Sequence, residues 1–383
     1  MKEATLLIVT TVPETLMTIL AHQPKFLNHS FKVHLACSAD GPVDRIAVRE
    51  AVPVHPVAMK RGISPFADVI SILSMCRLLR KLKPSVVQSY TPKAGLVTMI
   101  AAFLCRVPVR IHTFTGLIFP TQTGFKKTLL INVDRLICVC ATTVVPEGLG
   151  VKKDLLAYRV TKKQMSVIGH GNIAGVDLDF FRPDNQFVIT NSKALKESLG
   201  IMDDEFVFCF IGRLNRDKGL KELGQAFLRL PDHTHLIVVG GLDSEAPIDA
   251  ETFALLKQHP RIHTLGFQED IRDALAASDA LVLSSYREGF PNVVLQACAM
   301  GIPAVVTDIS GCNEIIESGI NGWLAQPRDV TSLTSAMMQA VETPHDRMTE
   351  MGTSARARIV ERFDRTAHWE RMQNFYLQEL DID

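Results

Sequence analysis

Two cations five positions apart, and a carboxylate just ahead of a helix start, are the residues of this chain best placed for chemistry. Arg213 and Lys218 stand in Gly212-Arg-Leu-Asn-Arg-Asp-Lys-Gly219, just after the apolar run Phe206 to Ile211. Cations converging on a helix start at Leu220 can clamp a diphosphate and stabilise the charge on a departing nucleoside diphosphate. A solvated basic loop is the plainer alternative. Glu288 stands in Ser284-Ser-Tyr-Arg-Glu-Gly-Phe-Pro-Asn292. The preceding run, Asp279 to Ser285, is apolar without alternation, as expected of a strand in a parallel sheet covered on both faces. Ligands of open α/β sheets collect outside the carboxyl ends of such strands. Gly289, Phe290 and Pro291 then open a helix predicted over Asn292 to Met300. Its first turn, with Asn292 and Val293, offers free N–H groups and a positive dipole end to a diphosphate, and Glu288 sits just ahead, within reach of a sugar hydroxyl. Gly301-Ile-Pro303 stops that helix.

Two further loops follow predicted strand ends. Ser89-Tyr-Thr91-Pro-Lys93-Ala-Gly95 and His112-Thr-Phe-Thr115-Gly116 bring hydroxyls, a lysine and an imidazole to the mouth of a first sheet. Thr91 reads equally as a helix N-cap and Lys93 as a solvated first-turn lysine. His112 is either a functional imidazole or a strand-end residue bonded to backbone. The first strand-to-helix turn, Thr10 to Glu14, lacks the Gly-x-Gly-x-x-Gly loop of dinucleotide binders, which counts against a dehydrogenase. Asp270, Asp273 and Glu314 read as helix caps and dipole partners.

The elements that must position these residues alternate strand and helix. In the first part the expected strands are Thr5 to Thr10, Phe31 to Cys37, Val52 to Val57, Val86 to Tyr90 and Val109 to Thr113. Met165 to Gly169 is expected as the last strand, and Pro65 to Lys83 is the clearest helix. A stiff turn from His170 to Pro183 leads to a hinge. The second part alternates likewise, through Leu236 to Val239, Arg261 to Gly266 and Ala304 to Thr307, then helices over Val330 to Val341 and Asp346 to Arg362. Trp369, Met372, Phe375, Tyr376 and Leu380 recur at helical spacing over Thr366 to Leu380, a core-packing stripe. At 383 residues two domains are expected. Their bounds are 1–184 and 185–365, with 366–383 as a terminal helix.

Hydrophobic residues make up 47% of the chain and charged ones 21%, which fits a soluble α/β protein and excludes disordered or collagen-like chains. Eight cysteines without paired or metal-ligand spacing fit a reducing cytosol. Thr5 to Val9 is too short for a signal peptide core, so none is expected, and Ala94 to Cys105 is too short to span a bilayer. The net charge of zero hides a division: residues 1–184 hold 23 Lys and Arg against 12 Asp and Glu, and the remainder 18 against 29. A basic half attracts an anionic surface or substrate, unless the two halves merely complement one another. Lys126-Lys127, Lys152-Lys153 and Lys162-Lys163 are basic pairs, and Thr123 to Val133 reads either as an amphipathic segment on anionic lipid or as a core helix.

With Arg213, Lys218 and Glu288 in these places, the chain resembles the retaining glycosyltransferases of family 4, in the subgroup that builds bacterial surface polysaccharides. The resemblance implies a GT-B α/β fold: two doubly wound parallel-sheet, Rossmann-like domains facing a cleft, the donor on the second domain and the last helix crossing back to the first. It implies that Glu288 contacts the donor sugar. The second acidic position of the family, which takes both ribose hydroxyls, is Gln296 here. A carboxamide loses charge-assisted bonding worth about 1–2 kcal/mol, so weaker nucleotide binding is expected. Many members carry a sugar-pocket His just before the glycine that Gly116 matches, where this chain has Thr115, with His112 three positions earlier. The implied catalytic set is therefore Glu288, Arg213, Lys218 and His112. The implied donor site is Arg213, Lys218, Glu288, Gly289, Phe290, Pro291, Asn292, Val293 and Gln296, and the acceptor or sugar pocket is Thr91, Lys93, Thr115 and Gly116.

The implied reaction moves a sugar, an N-acetylhexosamine or a relative of it, from a UDP-linked donor to a polyprenyl-diphosphate-linked saccharide for O-antigen or capsule. Configuration is retained, and no carboxylate acts as nucleophile. The two cations and the helix dipole can do a metal's work on the diphosphate, so no metal and no cofactor is expected beyond the nucleotide sugar. The expected partners are the donor, the lipid-linked acceptor and an anionic inner membrane surface met through the basic first domain, with no nucleic acid, and the expected location is cytoplasmic and peripheral. The alternatives are a UDP-N-acetylglucosamine 2-epimerase-like enzyme of the same fold and an inactive nucleotide-sugar-binding protein.

Overall fold

Short runs rich in Val, Ile and Leu, apolar on both faces, pair side by side in parallel wherever helices return the chain over the sheet. A computed structural model, which describes residues 4–381 apart from 60, 61, 63 and 245, contains two such sheets of six strands. The first unit comprises Met1–Gly175 with Arg365–Asp383, and the second Val176–Asp364.

In the first unit the strands are β1 (Thr5–Val9), β2 (Lys32–Cys37), β3 (Val54–Pro56), β4 (Val86–Tyr90), β5 (Val109–Phe114) and β6 (Thr143–Pro146), ordered β3-β2-β1-β4-β5-β6. The second unit repeats that order. Its strands are β7 (Phe206–Ile211), β8 (Thr234–Val239), β9 (Ile262–Gly266), β10 (Ala280–Leu283), β11 (Ala304–Thr307) and β12 (Gly322–Ala325), ordered β12-β11-β10-β7-β8-β9. Each is the doubly wound arrangement, with the strand order reversing between β1 and β4 and between β7 and β10. Ligand crevices open at the carboxyl ends of such reversal points.

Two strand expectations are corrected. The sixth strand of the first sheet is Thr143–Pro146, not Met165 to Gly169. Met165 makes only an isolated parallel bridge to Val144, and the chain after it turns through Gly169 and Gly171, both at positive φ. Gly322–Ala325, which is absent from the expected strands, forms the edge strand β12.

The expected boundary at 184/185 falls instead at 175/176. Val176 bridges Asp364 and donates its N–H to Phe363 O at 2.7 Å, and the Arg272 guanidinium lies 3.6 Å from the Phe180 ring centre. Residues 176–184 are thereby held by the second unit. The terminal helix, Arg365–Asp381, belongs to the first unit; positions 382 and 383 of the expected 366–383 lie outside the described residues. Its stripe packs as core, Trp369 against Phe26 at 5.5 Å between ring centres and Tyr376 edge-on to Phe31 at 5.8 Å. Among the described residues no helix is long and apolar enough to cross a membrane.

Candidate active site

β7 and β10 lie side by side, Ala280 opposite Phe208 and Leu281 opposite Cys209, so the loops that follow them meet. After β7 the chain makes one tight turn, Arg216–Lys218, with the Asn215 side chain accepting the Lys218 N–H at 3.2 Å. Gly219 then adopts φ 64°, and a Cβ there would stand 2.1 Å from Ser284 O. Only glycine lets the two loops close to this distance.

Across that contact runs a polar network. Lys218 Nζ lies 2.6 Å from Glu288 Oε1, and Ser285 Oγ donates to the same oxygen at 2.5 Å. Glu288 Oε2 takes no hydrogen bond among the described residues, which leaves it able to accept from a sugar hydroxyl. Ser284 Oγ donates to Lys218 O at 2.9 Å, Tyr286 N to Asp217 O at 2.8 Å, and the Arg287 guanidinium bonds Asp217 at 3.0 and 2.9 Å. The β7 and β10 loops are thus stitched together by side chains and backbone alike. Arg213 is held apart from the pair: its Nη1 bonds Asp243 Oδ2 at 2.7 Å, and its side chain is 63% exposed.

Helix Asn292–Ala299 starts from Pro291 with no side-chain cap. Phe290 is buried, its ring 5.4 Å from that of Phe363, so of the expected donor contacts Gly289, Phe290 and Pro291 it serves to pin the loop. Asn292, Val293 and Gln296 are half-buried on the first turn and a half. Helical side chains lean towards the N-terminus, so the Gln296 amide covers the turn carrying Asn292 and Val293. It makes no hydrogen bond within the described chain.

Cys312 is fully buried nearby, and burial, then the charge of Glu288, pushes its thiol well above the usual range. A thiol held protonated is no nucleophile. Among the described residues no group of three or more His, Cys, Asp or Glu is placed to hold a metal.

In the first unit the reversal point joins the loops after β1 and β4. Thr11 Oγ1 and Thr91 Oγ1 lie 2.7 Å apart, and Thr11 Oγ1 accepts the Ala94 N–H at 3.1 Å. The hydroxyl capping helix Pro92–Leu104 is therefore that of Thr11, and Thr91 itself stands at φ 70° with no cap bond. Lys93 is not solvated: its Nζ lies 2.6 and 2.7 Å from the two carboxylate oxygens of Asp68. Thr115 and Gly116 are half-buried just beyond β5.

His112, expected in the catalytic set, is packed in the core at the end of β5. The ring is 1% exposed, Nδ1 lies 2.8 Å from Ser89 Oγ, and Phe114 meets it edge-on at 4.5 Å. Burial lowers its pKa to about 3, so it stays neutral.

Sequence reasoning passed over Ser285, Asp217, Asp243, Thr11 and Asp68, the residues that hold the expected ones in place. The Ser284-Ser285 pair at a strand end was the one visible signal.

The description "Glycosyl transferases group 1" matches residues 191–358, and "Glycosyl transferase 4-like domain" matches residues 26–171. The chain is 30% identical over 326 residues to the capsular polysaccharide biosynthesis glycosyltransferase CapM of Staphylococcus aureus, covering 84% of each. It is 28% identical to an Escherichia coli enzyme described as UDP-Gal:alpha-D-GlcNAc-diphosphoundecaprenol alpha-1,3-galactosyltransferase, covering 91% of this chain and 90% of that one. Among solved structures it is similar to Anabaena HepE in complex with UDP and glucose, at a TM-score of 0.81 and 19% identity, over 98% of this chain and 100% of that one. The fold is thus that of the GT-B glycosyltransferases.

Proposed function

The chain belongs to the glycosyl transferases of group 1, and on that premise we propose that it moves a sugar from a UDP-sugar to a saccharide carried on a polyprenyl diphosphate, with retained anomeric configuration and without a metal ion. The observation that carries this reading is the Lys218–Glu288 pair, which stands at the carboxyl ends of β7 and β10 and before the uncapped start of helix Asn292–Ala299. A diphosphate at that helix start meets the positive end of the helix dipole and accepts from the cation. Lys218 then exchanges Glu288 for a phosphate oxygen. Glu288, still held by Ser285, turns its acceptor capacity to a hydroxyl of the donor sugar. Arg213 swings from Asp243 to the second phosphate, and Gln296 holds one ribose hydroxyl.

As the glycosidic bond breaks, negative charge grows on the leaving diphosphate, where the two cations and the helix dipole stabilise it most. The leaving phosphate takes the proton of the attacking acceptor hydroxyl on the same face of the sugar. The E. coli relative's described acceptor, a diphosphoundecaprenol-linked sugar, supports a lipid-linked acceptor here, and the S. aureus relative supports a capsule or similar surface polysaccharide as the end product. The sugar is an N-acetylhexosamine or a relative of it. The enzyme works at the cytoplasmic face of the membrane, which its basic first half meets.

The test is a panel of UDP-sugars with a short-chain prenyl-diphosphate saccharide in the presence of chelator, with the anomeric configuration of the product read by NMR. One sugar transferred with retention supports the reading. No transfer from any UDP-sugar, an inverted product, or turnover only after metal is restored would overturn it.

A further inference from the structure

Helix Pro65–Leu82 turns the wrong kind of face outward. A surface helix buries its apolar stripe and exposes its polar one. Here Phe66 is 91% exposed, Val69 56%, Ile70 65% and Leu73 53%. At 100° per residue these four fall with Arg77, Arg80 and Lys81 in one sector of about 120°. The three cations are exposed and make no ion pair among the described residues. The outward face is therefore apolar over its first two turns, cationic over its last, and without an acidic residue. Four exposed side chains of this size form a patch on the order of a few hundred Å2, the size that marks an interaction surface.

From that pattern the geometry points to a membrane-docking face: helix Pro65–Leu82 lies on an anionic phospholipid bilayer, with Phe66, Val69, Ile70 and Leu73 at the boundary of headgroups and acyl chains and Arg77, Arg80 and Lys81 on lipid phosphates. Charge favours this occupant over a second copy paired through the same face, since residues 1–184 carry 23 Lys and Arg against 12 Asp and Glu and would repel themselves. An apolar row with cations at its end matches the interfacial mode, in which buried apolar area and attraction to anionic lipid add. The helix Gly124–Cys140, which includes Thr123 to Val133 but for its first residue, is a poorer candidate. Its exposed Phe125 is separated from Leu136 and Val139 by the exposed Asn132 and Arg135.

The location also suits the chemistry, and to that extent the inference rests on the transfer reading given above. Asp68, on the first turn of the docking helix, is the residue that holds Lys93, next to Thr91 at the carboxyl end of β4. The apolar end of the helix thus stands beside the loop expected to meet the acceptor. A saccharide on a polyprenyl diphosphate leaves the bilayer at headgroup level, so docking there would deliver it to that loop.

The experiment is co-sedimentation of the full chain with vesicles of phosphatidylcholine alone and of phosphatidylcholine mixed with phosphatidylglycerol. It uses the parent, the Phe66→Ser/Ile70→Ser variant and the Arg77→Glu/Arg80→Glu variant, with UDP binding as the control of folding. The parent is expected to bind the anionic vesicles at least about tenfold more tightly than the neutral ones. Each variant is expected to lose at least about tenfold on anionic vesicles and to keep its affinity for UDP. Vesicle binding equal to the parent's in both variants would overturn the proposal. So would a parent that ignores vesicles and forms dimers that Phe66→Ser/Ile70→Ser dissociates. Transfer assays separate the two readings: binding through this helix without transfer of any sugar leaves the docking face standing and removes the transferase reading, and transfer without vesicle binding does the reverse.

Discussion

Lys218 and Glu288, seventy positions apart in sequence, meet at 2.6 Å where the loops after β7 and β10 join. The pair keeps each charge partnered, and on the reading proposed above a phosphate that attracts Lys218 would release Glu288 to the sugar. The two halves of the pair are expected to fail differently. Lys218→Ala removes a charge-assisted contact with the diphosphate and should weaken UDP about 10–100-fold by calorimetry. Glu288→Gln frees Lys218 from its partner and should leave UDP affinity equal or better, while transfer from the whole donor falls about 100-fold or more. Equal losses of UDP binding in both variants would mean that the pair only holds the loops together.

Gln296 offers a gain of function. Its amide is half-buried over the start of helix Asn292–Ala299 and makes no hydrogen bond within the described chain. A carboxylate there could accept from two ribose hydroxyls at once, with charge-assisted bonds worth about 1–2 kcal/mol more. Gln296→Glu should tighten UDP about tenfold, and the gain should disappear with 2′-deoxy-UDP. A gain that survives loss of the 2′-hydroxyl would place the side chain elsewhere on the nucleotide.

How much of this was legible differs between elements and contacts. Phe206–Ile211 and Ala304–Thr307 were plain because a strand covered on both faces has no polar side and reads as an unbroken apolar run. Thr143–Pro146 and Gly322–Ala325 are four residues each, one ending in Pro and the other beginning on the glycine of Asn321-Gly322, and both look like punctuation. That Arg213, Lys218 and Glu288 stand in the loops beyond strand ends was legible because each follows a strand that announces itself. Their anchors were not: Asp243 lies thirty positions beyond Arg213, and Asp68 twenty-five before Lys93. Which loop meets which follows from the strand order, and one chain's periodicity does not contain that order. The burial of His112 was hidden for the same reason, since it depends on a glycine in the neighbouring helix.

That glycine gives a test of packing. A Cβ on Gly95 would stand 2.3 Å from His112 Cε1. Gly95→Ala should destabilise the fold by about 1–3 kcal/mol through overpacking, as measured by urea unfolding. Adding His112→Ala should restore part of that loss, so the double variant is less unstable than the two single effects added together. Strict additivity would mean that the ring already has room to move aside.

Acid should act on the fold through two opposed sets of groups. Burial lowers His112 to about 3 and His368 to about 4, and the half-buried His55 and His263 shift the same way from the same cause. These rings are neutral in both states above about pH 6.5. As pH falls below that, the unfolded chain takes up protons that the folded one refuses, so stability drops by up to about 1.4 kcal/mol per pH unit for each fully buried ring. Asp134 runs the other way. It is buried on helix Gly124–Cys140 without a hydrogen-bond partner among the described residues, and burial raises its carboxyl to about 7. Above pH 7 the fold must hold a buried charge, and that cost fades as pH falls from about 7 towards the unfolded value near 4. Asp134→Asn should therefore raise the melting temperature at pH 8, by a stabilisation of a few kcal/mol, and have little effect at pH 5. His112→Gln, which keeps a hydrogen-bonding group beside Ser89 without a titrating ring, should flatten the loss of stability below pH 6. Melting curves from pH 8 to pH 5 would separate the two. A benefit of Asp134→Asn that persists undiminished at pH 5 would mean that it stems from packing rather than from the buried charge.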